Sequence, residues 1–145
     1  MSRNNTSFRL VCMFTLLCFA PGILLALPQD PIQLNSGKVS GVALDSGVQV
    51  YRGIPFAAPP VNDLRWKAPQ QPISWEGVLT ADEFGPVCMQ QRSEALMSED
   101  CLYLNVWTRA ESAASALPVM VWIHGGGWTS GSSSGATYDG EAFAN

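Results

Sequence analysis

Val119-Met120-Val121-Trp122-Ile123-His124-Gly125-Gly126-Gly127-Trp128 is the stretch on which the fold turns. Five consecutive apolar residues, 119–123, describe a strand with no polar face. Such a strand has to be covered on both sides, as in a parallel sheet flanked by helices, and this predicts an α/β class. The surrounding chain supplies little helix: a turn is predicted near 93–97 and a helix start at 140–144. Parallel strands need crossovers of about a dozen residues or more, usually helical. A sheet left without them would expose apolar faces and open edges. The expectation is therefore an N-terminal, strand-rich part of a larger α/β protein.

Outward from this stretch, residues 102–107 read as a second strand. Residues 38–44 and 48–54 are short β-type runs separated by Asp45-Ser46-Gly47, whose turn chemistry predicts a hairpin. Five prolines stand between 55 and 72 (Pro55, Pro59, Pro60, Pro69 and Pro72), each lacking a backbone donor, so extended irregular chain is expected there. Trp66, Trp75 and Phe84 are expected to pin that loop to the core by burying large apolar faces.

At the other end, residues 1–9 are polar and carry Arg3 and Arg9, and an apolar run over 10–19 is broken by Pro21-Gly22. This is the pattern of a secretory signal peptide over residues 1–26, with cleavage near Ala26 and export to a secreted or periplasmic location. The competing reading, an uncleaved anchor, needs about 20 uninterrupted apolar residues. Removing 1–26 leaves six cations against twelve anions, a net charge of −6 over 119 residues. That charge repels anionic surfaces, and too few cations remain for a nucleic-acid module. No stable membrane span is expected after cleavage. Cys88 and Cys101 are the cysteines left, an even pair in a chain bound for an oxidising compartment, which points to a disulfide; two free buried thiols are the alternative. One His and no further Cys leave a structural metal site short of four ligands, and no cofactor is implied.

The chemistry sits in the glycines. Gly125, Gly126 and Gly127 at the end of a buried strand let the backbone turn sharply and leave N–H groups pointing outward, with no Cβ to hold a ligand away. Such preorganised donors suit the oxyanion that develops during acyl transfer, and His-Gly-Gly-Gly after a strand is a pattern known from lipases and esterases. A dinucleotide fingerprint fails because Ser130 stands where its last glycine belongs, and the P-loop Gly-Lys-Ser/Thr is absent. His124 sits on the turn itself and is read as structural rather than as a general base. Gly131-Ser132-Ser133-Ser134-Gly135 matches G-x-S-x-G literally. A nucleophile elbow, however, needs a strand before the serine and a helix after it, and no histidine comes later in the chain, so Ser133 is read as a loop residue.

These motifs, in order, resemble the type-B carboxylesterase family, the secreted serine esterases that include the cholinesterases. Tyr51-Arg52-Gly53-Ile54-Pro55-Phe56-Ala57 with Leu64-Arg65-Trp66 is similar to the family's early hairpin and proline loop. Ser98-Glu99-Asp100-Cys101-Leu102-Tyr103-Leu104-Asn105-Val106-Trp107 is similar to its second signature. Residues 121–128 with Ser130-Gly131-Ser132 are similar to its oxyanion strand and loop, and Tyr138-Asp139-Gly140 continues the pattern. The resemblance implies an α/β-hydrolase fold over 27–145, with an early antiparallel hairpin and the first strands of the central sheet, and a serine that attacks small carboxylic esters. It implies a Cys88–Cys101 disulfide, a partly buried Arg65–Glu99 pair, and oxyanion amides from Gly126 and Gly127 on a turn completed by Gly125. In the family layout the nucleophile, acid and base fall beyond Asn145, as does the residue giving a third amide. Cholinesterases carry a choline-stacking Trp in a longer disulfide loop; no aromatic residue lies between Cys88 and Cys101 here, which argues against choline specificity. The rival reading is a catalytically inactive binding or adhesion protein on the same scaffold.

Overall fold

The computed structural model describes residues 30–91, 93 and 95–145; the targeting segment expected over 1–26 lies outside them. The described chain is built from short strands: β1 (Ile32–Leu34), β2 (Gly37–Ser40), β3 (Val42–Ala43), β4 (Gln49–Pro55), β5 (Val78–Thr80), β6 (Val87–Cys88), β7 (Met97–Ser98) and β8 (Tyr103–Thr108). One helix of four residues, α1 (Glu141–Ala144), ends it. They form three small sheets, ordered β1-β2-β5, β3-β4-β8 and β6-β7.

The predicted hairpin is present. Leu44 N donates to Val48 O at 2.8 Å and Gly47 N to Leu44 O at 2.9 Å, closing the Asp45-Ser46-Gly47 turn between β3 and β4. Its first arm is split, however. The carboxylate of Asp30 accepts from the Ser40 hydroxyl and from Gly41 N, and the chain leaves one sheet at Ser40 to enter the next at Val42. β1 and β5 were not anticipated, because three-residue strands carry too little alternation to be read as such.

β4 and β8 form the main antiparallel ladder, with Val50 opposite Trp107 and Tyr51 opposite Val106. The register slips between Tyr51 and Ile54. Such a slip leaves backbone donors without ladder partners, and here they are satisfied from outside: Gly53 N donates to Asn105 Oδ1 at 2.9 Å and Arg52 N to Ala81 O at 2.8 Å. Ala81 N in turn donates to Ser40 O at 2.7 Å, so one residue links the ends of β2 and β4. Around it lies the core, with Val39, Tyr51 and Ala81 buried and Leu34 and Ile54 packed on them.

Four expectations need correction. Trp66 does not pin the proline loop: it is 96% exposed. The loop is held instead by backbone, through Phe56 N to Leu102 O and Ala58 N to Gln70 O, both 3.0 Å. Trp75 does contribute, donating Nε1–H to Lys38 O at 2.7 Å, whereas Phe84 is exposed and lies 5.3 Å beneath the Arg52 guanidinium. The helical turn near 93–97 is replaced at its end by β7, which pairs in parallel with β6, and Val87 N donates to Leu96 O at 2.9 Å. The loop closed at Cys88 and Cys101 brings these backbones side by side, where cross-strand partners satisfy donors that a lone turn would leave to water.

The largest departure is at residues 119–123. This apolar run forms no regular element and joins no ladder, and its residues are between 62% and 87% exposed. A strand exists only through its neighbours, and the described residues offer none alongside it. The start predicted at 140–144 is realised as α1, whose leading Gly140 packs so closely on the Trp107 indole that a Cβ there would lie 2.9 Å from the ring.

Candidate functional site

After Ile123 the chain makes the bend that the glycines foretold. Gly126 has φ +131° and Gly127 φ +60°, both in the half of backbone space that suits glycine. The Gly126 carbonyl points into the turn and accepts from Thr129 N at 3.1 Å, Ser130 N at 3.2 Å and the Thr129 hydroxyl at 3.1 Å. Among the described residues, neither Gly126 N–H nor Gly127 N–H donates to any group.

Two of the glycines in this region are demanded by space. A Cβ on Gly126 would lie 1.7 Å from Ser130 O, and one on Gly131 would lie 2.4 Å from Gly125 O and 2.6 Å from His124 Nδ1. Gly125 and Gly127 have nothing within 4 Å of the same position. Gly125, Gly126, Gly127 and Trp128 are all exposed, so the described residues build no walls around the free amides.

His124 is half-buried, and its Nδ1 lies 2.8 Å from Gly125 O. A carbonyl only accepts, so the contact takes Nδ1–H as its donor and ties that nitrogen to its own turn. Ser133 is exposed, and its hydroxyl accepts from Asn105 Nδ2 at 3.0 Å. The next element is a single 3₁₀ turn, Ala136–Tyr138, rather than an elbow helix. Trp122 and Tyr138 meet with ring centroids 5.8 Å apart, holding this loop against the apolar run.

Two supports lie nearby. Cys88 and Cys101 are bonded at 2.06 Å with their Cα atoms 5.0 Å apart. Arg65 Nη2 and Glu99 Oε1 are 2.8 Å apart, joining the proline loop to the segment after β7. This pair is more open than the partly buried one expected: the side chains are 54% and 42% exposed, and a pair so hydrated contributes about 0–1 kcal/mol. Burial, together with a hydrogen bond to Asp100, raises the Tyr103 phenol above its ordinary range.

Two polar side chains were not foreseen. Asn105 reaches from β8 to Gly53 on one side and Ser133 on the other; its only sequence signal is an amide in the middle of an apolar strand. Gln90, two residues after Cys88, bonds to both polar groups of Gly131, and nothing in its spacing announces a contact 41 residues away.

The sequence profile described as the Carboxylesterase family matches residues 28–145. The chain belongs to the carboxylesterase family. Over 141 residues it is 42% identical to the fumonisin B1 esterase of Sphingopyxis macrogoltabida, an alignment covering 90% of this chain and 26% of that protein. Over 117 residues it is 44% identical to the para-nitrobenzyl esterase of Bacillus subtilis, covering 74% and 23%. Among solved structures, a Geobacillus stearothermophilus carboxylesterase superposes with TM-score 0.72 at 43% identity, covering 78% of this chain and 23% of that one. A PNB esterase superposes with TM-score 0.69 at 44% identity, covering 82% and 24%. The chain thus has the strand-rich N-terminal part of the α/β-hydrolase fold and spans about a quarter of the length of the relatives it matches.

Proposed function

We propose that residues 27–145 supply the oxyanion-binding element of a serine hydrolase acting on small carboxylic esters. In this reading a serine, histidine and acid come from the remaining three-quarters of the family's domain. The serine hydroxyl adds to the ester carbonyl as the histidine takes its proton, and the carbonyl oxygen becomes an oxyanion held by Gly126 N–H and Gly127 N–H. The tetrahedral species expels the alcohol, which receives that proton, and leaves an acyl-serine that water then opens to the acid. The observation that carries the proposal is the pair of amides with no acceptor, set on a turn whose carbonyl is already engaged. The exposed run at 119–123 fits the same reading, since the rest of an α/β-hydrolase sheet would cover it.

The test is reconstitution. The chain is fused in frame to the portion of the Bacillus subtilis para-nitrobenzyl esterase that lies beyond the matched segment. Hydrolysis of a short-chain nitrophenyl ester by the fusion, with kcat lowered on the order of a hundredfold by Gly126→Ala, is the expected result. A fusion that folds cooperatively but does not hydrolyse the ester would favour the binding-protein reading. The export reading is tested separately. Secretion with a new N-terminus near residue 27 supports residues 1–26 as a removed signal peptide, and retention of Met1 on the exported chain refutes it.

A further inference from the structure

The contact between Gln90 and Gly131 is unusual in kind. Gly131 N donates to Gln90 Oε1 at 2.9 Å, and Gln90 Nε2 donates to Gly131 O at 3.0 Å. One side-chain amide thereby saturates both polar groups of one residue, as a neighbouring strand would. Nε2 also reaches Cys88 O at 3.2 Å, which ties the side chain to the root of the disulfide loop. Gly131 is the residue wedged against His124 and the Gly125 carbonyl, in a backbone conformation of φ +110° that suits glycine. A continuous chain of contacts therefore runs from the Cys88–Cys101 bond through Gln90 and Gly131 to the peptide that precedes Gly126.

From this geometry we infer that Gln90 is the positioning residue of the oxyanion turn. It anchors the far end of the glycine loop to the disulfide loop, and so sets where Gly126 N–H and Gly127 N–H point. The inference rests on the proposed esterase reading and adds a residue that touches neither substrate nor the reacting atoms. Gln90 is half-buried, so both bonds compete with water and the side chain's fixed placement is what they contribute. Donors aimed at an oxyanion lose their effect with small displacements, and a misplacement of about 1 Å costs on the order of a hundredfold in rate.

The full chain, fused to the remainder of the Bacillus subtilis esterase, provides the assay. Gln90→Leu removes all three bonds at similar size; kcat for the nitrophenyl ester is expected to fall about ten- to a hundredfold, with KM within about twofold. Gln90→Glu gives a readout that mere destabilisation would not. As a carboxylic acid its one proton can restore the pair of bonds to Gly131, giving up only the bond to Cys88 O, whereas as a carboxylate it faces the Gly131 and Cys88 carbonyls with no proton to offer. Its kcat relative to the unsubstituted fusion should rise towards one as pH falls through the carboxylate range. The Gln90→Leu ratio should stay flat. His124 stands beside Gly131 in all three proteins, and the pH dependence of the Gln90→Leu ratio is the control for it.

If Gln90→Leu keeps kcat within twofold while Gly126→Ala loses on the order of a hundredfold, the inference is wrong and the esterase reading stands. A Gln90→Glu ratio that does not change with pH also overturns it. Should the unsubstituted fusion fold yet hydrolyse no ester, the esterase reading fails instead. Gln90 is then judged by hydrogen exchange at the Thr129 and Ser130 amides, which close the turn by donating to Gly126 O: faster exchange in Gln90→Leu supports its anchoring role, and equal exchange refutes it.

Discussion

Alanine placed in turn at residues 125, 126 and 127 should give three very different enzymes, although each change adds the same methyl group. At Gly126 the new Cβ would sit 1.7 Å from Ser130 O, where real contacts stay beyond 3.0 Å, so one backbone must retreat by about 1.3 Å. Under the proposed function, that displacement moves the donors off the oxyanion. Loss of a single such donor costs about 3 kcal/mol, or on the order of a hundredfold in kcat. At Gly127 there is open space, but φ is +60°, which costs an L-residue about 1–2 kcal/mol. If all of that strain opposes the active turn, the loss is about five- to thirtyfold. At Gly125 neither penalty applies, and kcat should stay within about twofold of the parent, a change that small-contact substitutions rarely exceed. The assay is kcat and KM for a short-chain nitrophenyl ester in the reconstituted fusion, with circular dichroism to verify folding. Equal losses at all three positions, or a Gly126→Ala enzyme retaining more than a tenth of parental kcat, would refute the steric argument.

The unfused chain should show no esterase turnover, and Ser133→Ala should change nothing, because that hydroxyl is engaged only as an acceptor from Asn105; sustained hydrolysis abolished by Ser133→Ala would contradict this. Tyr51 is buried, and its hydroxyl has no partner among the described residues; burial, with Asp30 nearby, raises its pKa above the ordinary value of about 10. The folded state therefore holds that proton more tightly than the unfolded state, so this contribution is full below pH 10 and is lost as pH rises through the folded pKa. Tyr51→Phe should match or exceed the parent at neutral pH and lose less stability in denaturant melts above pH 10; an unchanged alkaline slope would count against it. Replacing both Cys88 and Cys101 with Ser should cost about 3 kcal/mol by the loop-closure relation for the 13-residue separation, read from urea midpoints, and no shift would refute it. A double-mutant cycle on Arg65 and Glu99 should yield a coupling below about 1 kcal/mol, since both partners are half-exposed; a larger value would show the pair to be shielded from water.

What the sequence alone determined is the chemistry carried by backbone type and short-range order. Three successive glycines foretold a sharp bend because only residues without Cβ reach φ +131° beside a carbonyl. Asp45-Ser46-Gly47 foretold its turn, and an even cysteine pair its disulfide. The tertiary structure decided everything that depends on a partner distant along the chain. It exposed Trp66, which apolarity alone had buried, and it drew Met97 and Ser98 into a strand beside Val87 and Cys88. It also left residues 119–123 unpaired, because hydrophobicity records that a segment wants cover but not what covers it. Gln90 on Gly131 and Asn105 on Ser133 belong to the same class: a carboxamide bonds to whatever peptide or hydroxyl the fold sets before it, and no periodicity encodes which one that is.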